Sequence, residues 1–125
     1  MGTTKTLRLH RSHGCRKRRR GPGHDWAIIK LGRPGLIHRI EVDTSHFKGN
    51  FPESCSLEAC NNPTQDPADP SNPWTNVLTR TKLQAHTRHH FDRELSDAGV
   101  VSHLRFNIYP DGGVSRLRVY GTLAD

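Results

Sequence analysis

The sequence predicts an all-β protein, an antiparallel sandwich. Three observations point there: short runs in which apolar and polar residues alternate, turn-forming residues between those runs, and no helical period sustained anywhere. At 125 residues the chain has room for one domain. Only 32% of residues are hydrophobic and the mean hydropathy is -0.76, so the core must be small and concentrated in a few strands.

Taken in order, Met1 to Gly23 has no apolar periodicity and holds the run Arg16-Lys17-Arg18-Arg19-Arg20 before Gly21-Pro22-Gly23. The expectation is a basic, disordered or loosely attached segment over 1–23, a folded body over 24–121 and a short tail over 122–125. Trp26 to Leu31 is a compact apolar run ended by a turn at Gly32-Arg33-Pro34-Gly35. Leu36 to Asp43 then alternates, with Ile40 and Val42 on one face and Arg39, Glu41 and Asp43 on the other. After a loop from Thr44 to Pro52, Cys55, Leu57 and Ala59 alternate with Ser56, Glu58 and Cys60, which places Cys55 inward as a small apolar residue. Asn61 to Pro73 carries four prolines among Asn, Asp and Ser and reads as a long surface loop. Trp74 to Thr79 is a further strand, and Asp92 to Gly99 a helical turn or loop. In Val101 to Ile108, Leu104, Phe106 and Ile108 share a face, Leu117 and Val119 repeat the pattern, and Pro110-Asp111-Gly112-Gly113 between them predicts a hairpin.

The formal charge of +7 is local. Residues 1–20 hold eight of the 19 Lys and Arg and no acid, which leaves 11 basic against 12 acidic residues, a net of -1, for the rest. A nucleic-acid surface needs its cations on the folded body, so nucleic acid is not the expected partner. Three cysteines, Cys15, Cys55 and Cys60, form no CxxC pair and are odd in number, which argues against a disulfide framework or a zinc knuckle and for a reducing compartment. No stretch reaches the roughly 20 apolar residues that span a bilayer, and Met1 to Leu9 lacks a secretory apolar run; no membrane partner and a cytoplasmic location are expected.

Three stretches together resemble the allantoicase family: GHDWAIIKLGRPGLIHRIEVDTSHFKGNFPESCSLEAC (Gly23 to Cys60), TKLQAHTRHHF (Thr81 to Phe91) and VSHLRFNIYPDGGVSRLRVYG (Val101 to Gly121). The specific elements are DTSxFxGNxP at Asp43 to Pro52 and RxNxxPDGGxxRxRVYG at Arg105 to Gly121. The resemblance covers about four fifths of the chain and implies a jelly-roll β-sandwich of the galactose-binding-like kind, here incomplete at its N-terminal side. It also implies an enzyme that hydrolyses allantoate to ureidoglycolate and urea in purine degradation. Family subunits resemble two such repeats, whereas this chain has one at most, leaning toward the second. The expectation is therefore a fragment with little or no activity alone, which pairs with a second repeat or with its own copy. Where the family reads like DGWETRRxRxPGxDW, this chain has SHGCRKRRRGPGHDW (Ser12 to Trp26), so its basic run is read as an altered arginine-rich loop.

Allantoate carries one carboxylate and two ureido arms on a single carbon. Its site needs a cation with a planar fork, donors and acceptors for the ureas, and a proton donor for the departing urea. Within the family-like segments, Asp43, His46 and Asp111 are the candidate catalytic residues, with Asp43 or His46 handling protons. Thr44, Asn50, Arg105 and Asn107 are the candidate substrate-binding residues, Arg105 anchoring the carboxylate while Asn50 and Asn107 orient urea groups. The competing reading makes Asp43, Thr44 and Asn50 turn-fixing residues, Asp111 a hairpin closer and Arg105 a solvated charge. His86, His89 and His90 invite a metal, but zinc needs a third ligand in fixed geometry, and a hydrogen-bonded strand is the preferred reading. No metal set is assigned and no cofactor is specified. A non-catalytic small-ligand or carbohydrate-binding sandwich is the alternative function.

Overall fold

The computed structural model describes residues 3–7, 16–17, 24–63, 66–67, 69 and 71–124. Among the described residues there are eight strands: β1 (Thr3–Leu7), β2 (Arg16–Lys17), β3 (Asp25–Asp43), β4 (Ser54–Cys60), β5 (Thr75–Lys82), β6 (Arg88–Phe91), β7 (Val101–Tyr109) and β8 (Arg116–Leu123). All pairings are antiparallel, in the order β1-β8-β3-β7-β4-β5, with β2 and β6 also on β3. Among the described residues there is no helix long and apolar enough to cross a membrane.

The long strand β3 makes the architecture. Its first part, Asp25 to Lys30, pairs with β7, and its last part, Gly35 to Asp43, lies beside β8 and, near its end, β6. The register breaks between Lys30 and Gly35, so the segment read from sequence as a turn between two strands is instead a corner within one 19-residue strand. Gly-Arg-Pro-Gly marks a bend correctly, yet a bend inside a strand and a turn between strands use the same residues. A second irregularity, between Ile37 and Arg39, lets Ile37 and Ile40 both face the core although they are three positions apart, an odd number.

The sheet thus curls over one core. Ile40, Val42, Phe91, Leu117 and Val119 meet Leu57, Leu78, Leu104, Phe106 and Ile108 in a single buried cluster. Each such side chain contributes roughly 1.5–3 kcal/mol on leaving water. Cys55 is fully buried in this cluster, and burial pushes its thiol up to about 12, which makes it a small apolar residue and not a nucleophile.

One expectation fails here. β7 and β8 do not pair with each other: β3 lies between them, and Pro110 to Ser115 is a connection that crosses from one layer to the other. Alternation and a proline-glycine turn are local signals that do not choose the pairing partner. Of the segment 1–23, expected to be disordered or loosely attached, the described residues Thr3–Leu7 pair with β8 and Arg16–Lys17 with β3. Main-chain pairing along the open edge of β8 requires no apolar period in the incoming strand; the rest of that segment lies outside the described residues.

Candidate functional site in the loops at one end of the sandwich

Because β3 turns its corner and comes back, Asp43 ends near the residues that leave β7. Three connections meet there: 44–53 between β3 and β4, 83–87 between β5 and β6, and 110–115 between β7 and β8. Main-chain hydrogen bonds tie them together. Thr44 N–H donates to Thr87 O at 2.9 Å, His86 N–H to Phe47 O at 3.1 Å, and Leu83 N–H to Glu53 O at 2.9 Å. Gly113 N–H donates to Asn50 O and Ser115 N–H to Asp43 O, both at 2.8 Å. The two motifs that carried the resemblance are thereby packed on each other, with the Phe47 ring against Gly113 and the Phe51-Pro52 main chain against Gly112.

Of the residues expected in a site, Asp43, Thr44, His46, Asn50 and Asp111 belong to this end. Their surroundings differ. Thr44 is fully buried: its Oγ1 lies 2.7 Å from Gln84 O and receives Thr87 N–H at 3.0 Å, so it staples two loops. Asp43 is 4% exposed, and its Oδ1 accepts Ser45 N–H at 2.8 Å, an Asx turn that starts the loop. Burial pulls its carboxyl pKa up, but the Ser45 hydrogen bonds and the charges of Arg88 and Arg116 outweigh burial and hold it below the ordinary value. A carboxylate so held is a poor proton donor at neutral pH, whereas the His46 imidazole beside it in the chain is exposed.

Arg105 and Asn107 stand apart from the loops, on the outward face of β7. The register sets Glu58 opposite Arg105 and Ser56 opposite Asn107. Arg105 Nε and Nη2 reach Glu58 Oε1 and Oε2, each at 2.9 Å, and Asn107 Nδ2 donates to Ser56 Oγ at 3.1 Å and Glu58 Oε1 at 3.0 Å. The guanidinium also lies 5.0 Å from the Trp74 ring centroid. The fork expected to hold a substrate carboxylate is filled by Glu58, and Asn107 is 2% exposed. A cross-strand partner cannot be read without the register, which is why Glu58 went unnoticed.

The exposed cation beside Asp43 is Arg88, with Nε 3.7 Å from Asp43 Oδ2 and a side chain 62% exposed. Arg88 and His86, both in the family-like TKLQAHTRHHF stretch, also lie at this end, His86 bonded to the 44–53 loop. The metal reading of the histidines finds no set of three ligands among the described residues. His89 is a framework residue: Gln84 N–H donates to its Nε2 at 2.9 Å, which leaves Nδ1–H to meet Val42 O at 3.0 Å. His90 lies 3.5 Å from the buried Glu41 carboxylate.

Asp43→Ala is expected to cost about 1–2 kcal/mol at pH 7 through the lost turn bond and its charge partners. A carboxyl whose folded pKa is depressed adds stability that is in place above its ordinary value of 3.8 and is lost as pH falls through the folded value. Urea denaturation of both proteins at pH 7 and near pH 2.5 should show the gap closing at the lower pH.

The family model described as the allantoicase repeat matches residues 11–124, a span that begins upstream of the 24–121 assigned from motifs. A probable allantoicase from Pseudomonas paraeruginosa is 55% identical over 108 residues, covering 83% of this chain and 32% of that protein. A second from Burkholderia mallei is 50% identical over 112 residues, covering 86% and 33%. The chain therefore spans about a third of the length of these relatives. Among solved structures, allantoicase from Saccharomyces cerevisiae superposes with a TM-score of 0.67 at 34% identity, over 93% of this chain and 31% of that one. The C-terminal domain of a chitobiase from Bacteroides fragilis gives 0.60 at 17% identity, over 84% and 68%, a likeness of fold alone. A jelly-roll body, the matching repeat and these relatives lead to one conclusion: the chain belongs to the allantoicase family.

Proposed function

We propose that this repeat serves an allantoicase-type reaction, the hydrolysis of allantoate to ureidoglycolate and urea, and that alone it binds substrate with little or no turnover. The observation that carries this reading is the meeting of the 44–53, 83–87 and 110–115 connections at one end of the sandwich. In the reaction, water replaces the nitrogen of one ureido arm on the central carbon. The attacking water loses a proton and the departing urea gains one.

The loop end offers a group for each need. His46 is the exposed proton carrier, Arg88 the exposed cation for the carboxylate, and Asn50 and Asp111 the polar groups nearest the ureido arms. Asp43 orients Arg88, Thr44 joins the loops, and Arg105 with Asn107 stiffens the neighbouring face. With a third of the relatives' length in hand, the remaining groups come from a second repeat or another copy of the chain.

The test is calorimetry of the purified chain with allantoate, alongside urea release. Saturable binding with near-background turnover is the expected result, and no saturable binding would count against the proposal. The alternative, a non-catalytic carbohydrate-binding sandwich, is favoured by the fold neighbours that are carbohydrate- and chitosan-binding modules, with TM-scores of 0.52 to 0.56. Binding of neutral oligosaccharides in preference to allantoate would support it.

A further inference from the structure

His46 and His86 face each other from two of the converging loops, their ring centroids 5.7 Å apart and both side chains exposed. Both have positive φ, 74° and 50°, a region that few side-chain-bearing residues adopt. Two contacts close this clamp. His86 N–H donates to Phe47 O at 3.1 Å, and His46 N–H donates to His86 Nδ1 at 2.8 Å.

The second contact fixes chemistry as well as position. A ring nitrogen that receives an N–H carries no proton, so the neutral His86 ring holds its hydrogen on Nε2. No hydrogen bond to that Nε2 forms among the described residues. His89 differs, since both of its nitrogens are spent on protein groups. His86 is therefore a donor with one exposed N–H and no acceptor to offer. Changing tautomer or rotating the ring would break the bond that joins the loops.

We infer that His86 is a ligand-binding residue which donates one hydrogen bond, from Nε2, to a carbonyl oxygen of a ureido- or amide-bearing ligand at the loop end. The inference rests on the allantoicase-type reading for the identity of that ligand. It adds a specificity rule, because a ligand group with only N–H donors at this position would be rejected.

The experiment uses the whole 125-residue chain, labelled with 15N. Long-range proton-nitrogen spectra report the tautomer of His86, and the same signals are followed while allantoate is added. Nε2–H in the free protein, with Nε2 shifting on addition of allantoate, is the expected result. His86→Asn separates clamp from ligand contact: its Oδ1 can accept His46 N–H and Asn tolerates positive φ, but nothing reaches the Nε2 position. The His46 amide signal should hold while allantoate binds about fivefold more weakly. An Nδ1–H tautomer, an Nε2 that ignores bound allantoate, or wild-type affinity in His86→Asn overturns the inference and leaves the functional reading standing. Failure of the unmutated chain to bind allantoate overturns both.

Discussion

Gly112→Ala is expected to destabilise the chain by about 3 kcal/mol or more and to abolish allantoate binding at the loop end. Gly112 has φ +126°, where an L side chain is strained, and a Cβ built there would lie 2.6 Å from both Phe51 C and Pro52 N. Those neighbours are main chain and cannot swing aside as a flexible side chain would. They belong to the loop that starts at Asp43, so relief must come from pushing that loop off the 110–115 connection. The strain of a disallowed φ, about 1–3 kcal/mol, adds to an overpacking cost of similar size. Gly49 is the control, since an added Cβ there meets nothing within 4 Å and Gly49→Ala should stay close to the unmutated protein. Chemical denaturation of the three proteins measures the difference. Equal midpoints for Gly112→Ala and Gly49→Ala would show that the two loops are not in contact.

That contact was legible in sequence only as the co-occurrence of two motifs, and the reasons for what was and was not legible are physical. Period-two alternation fixes which side chains face the core, and Leu104, Phe106, Ile108, Leu117 and Val119 are buried as the pattern requires. It does not fix neighbours. Pro110 to Gly113 reads as the tip of a hairpin, yet the strands on either side pair with β3 from opposite layers. Gly32 to Gly35 likewise signals a bend without saying that the strand continues. Thr44 and Asn107 belong to the family-like motifs and are buried, and burial depends on what the loops 83–87 and the strand β4 do elsewhere in the chain. His86 carries no periodic signal at all; the role proposed for it rests on a positive φ and a main-chain bond from a residue 40 positions away.

The position where sequence and structure diverge most is Arg105, and its replacement separates the two readings. Arg105→Ala is expected to cost about 2–3 kcal/mol at pH 7, because the carboxylate it pairs with loses its bidentate partner while it is only 26% exposed. Glu58 would keep only the Asn107 hydrogen bond on one oxygen, and Trp74 would lose the guanidinium packed on its face. Replacing both members with apolar residues, Arg105→Met with Glu58→Leu, should recover much of the loss, since it is the orphaned charge that is costly and not the absence of the pair. The pH dependence provides an independent handle. Burial raises the Glu58 pKa, but hydrogen bonds from Arg105 and Asn107, with the Arg105 and His24 charges, bring it below the ordinary 4.5. Its contribution is therefore complete above that value and is lost as pH falls through the folded pKa, so the cost of Arg105→Ala should shrink in acid. Denaturation curves at pH 7 and near pH 2.5, with allantoate calorimetry at pH 7, decide between the roles. A stability loss with substrate affinity retained makes Arg105 a brace for the outer face of β4 and β7. Unchanged stability with affinity lost would make it a ligand-binding arginine, with Glu58 its partner when no ligand is bound.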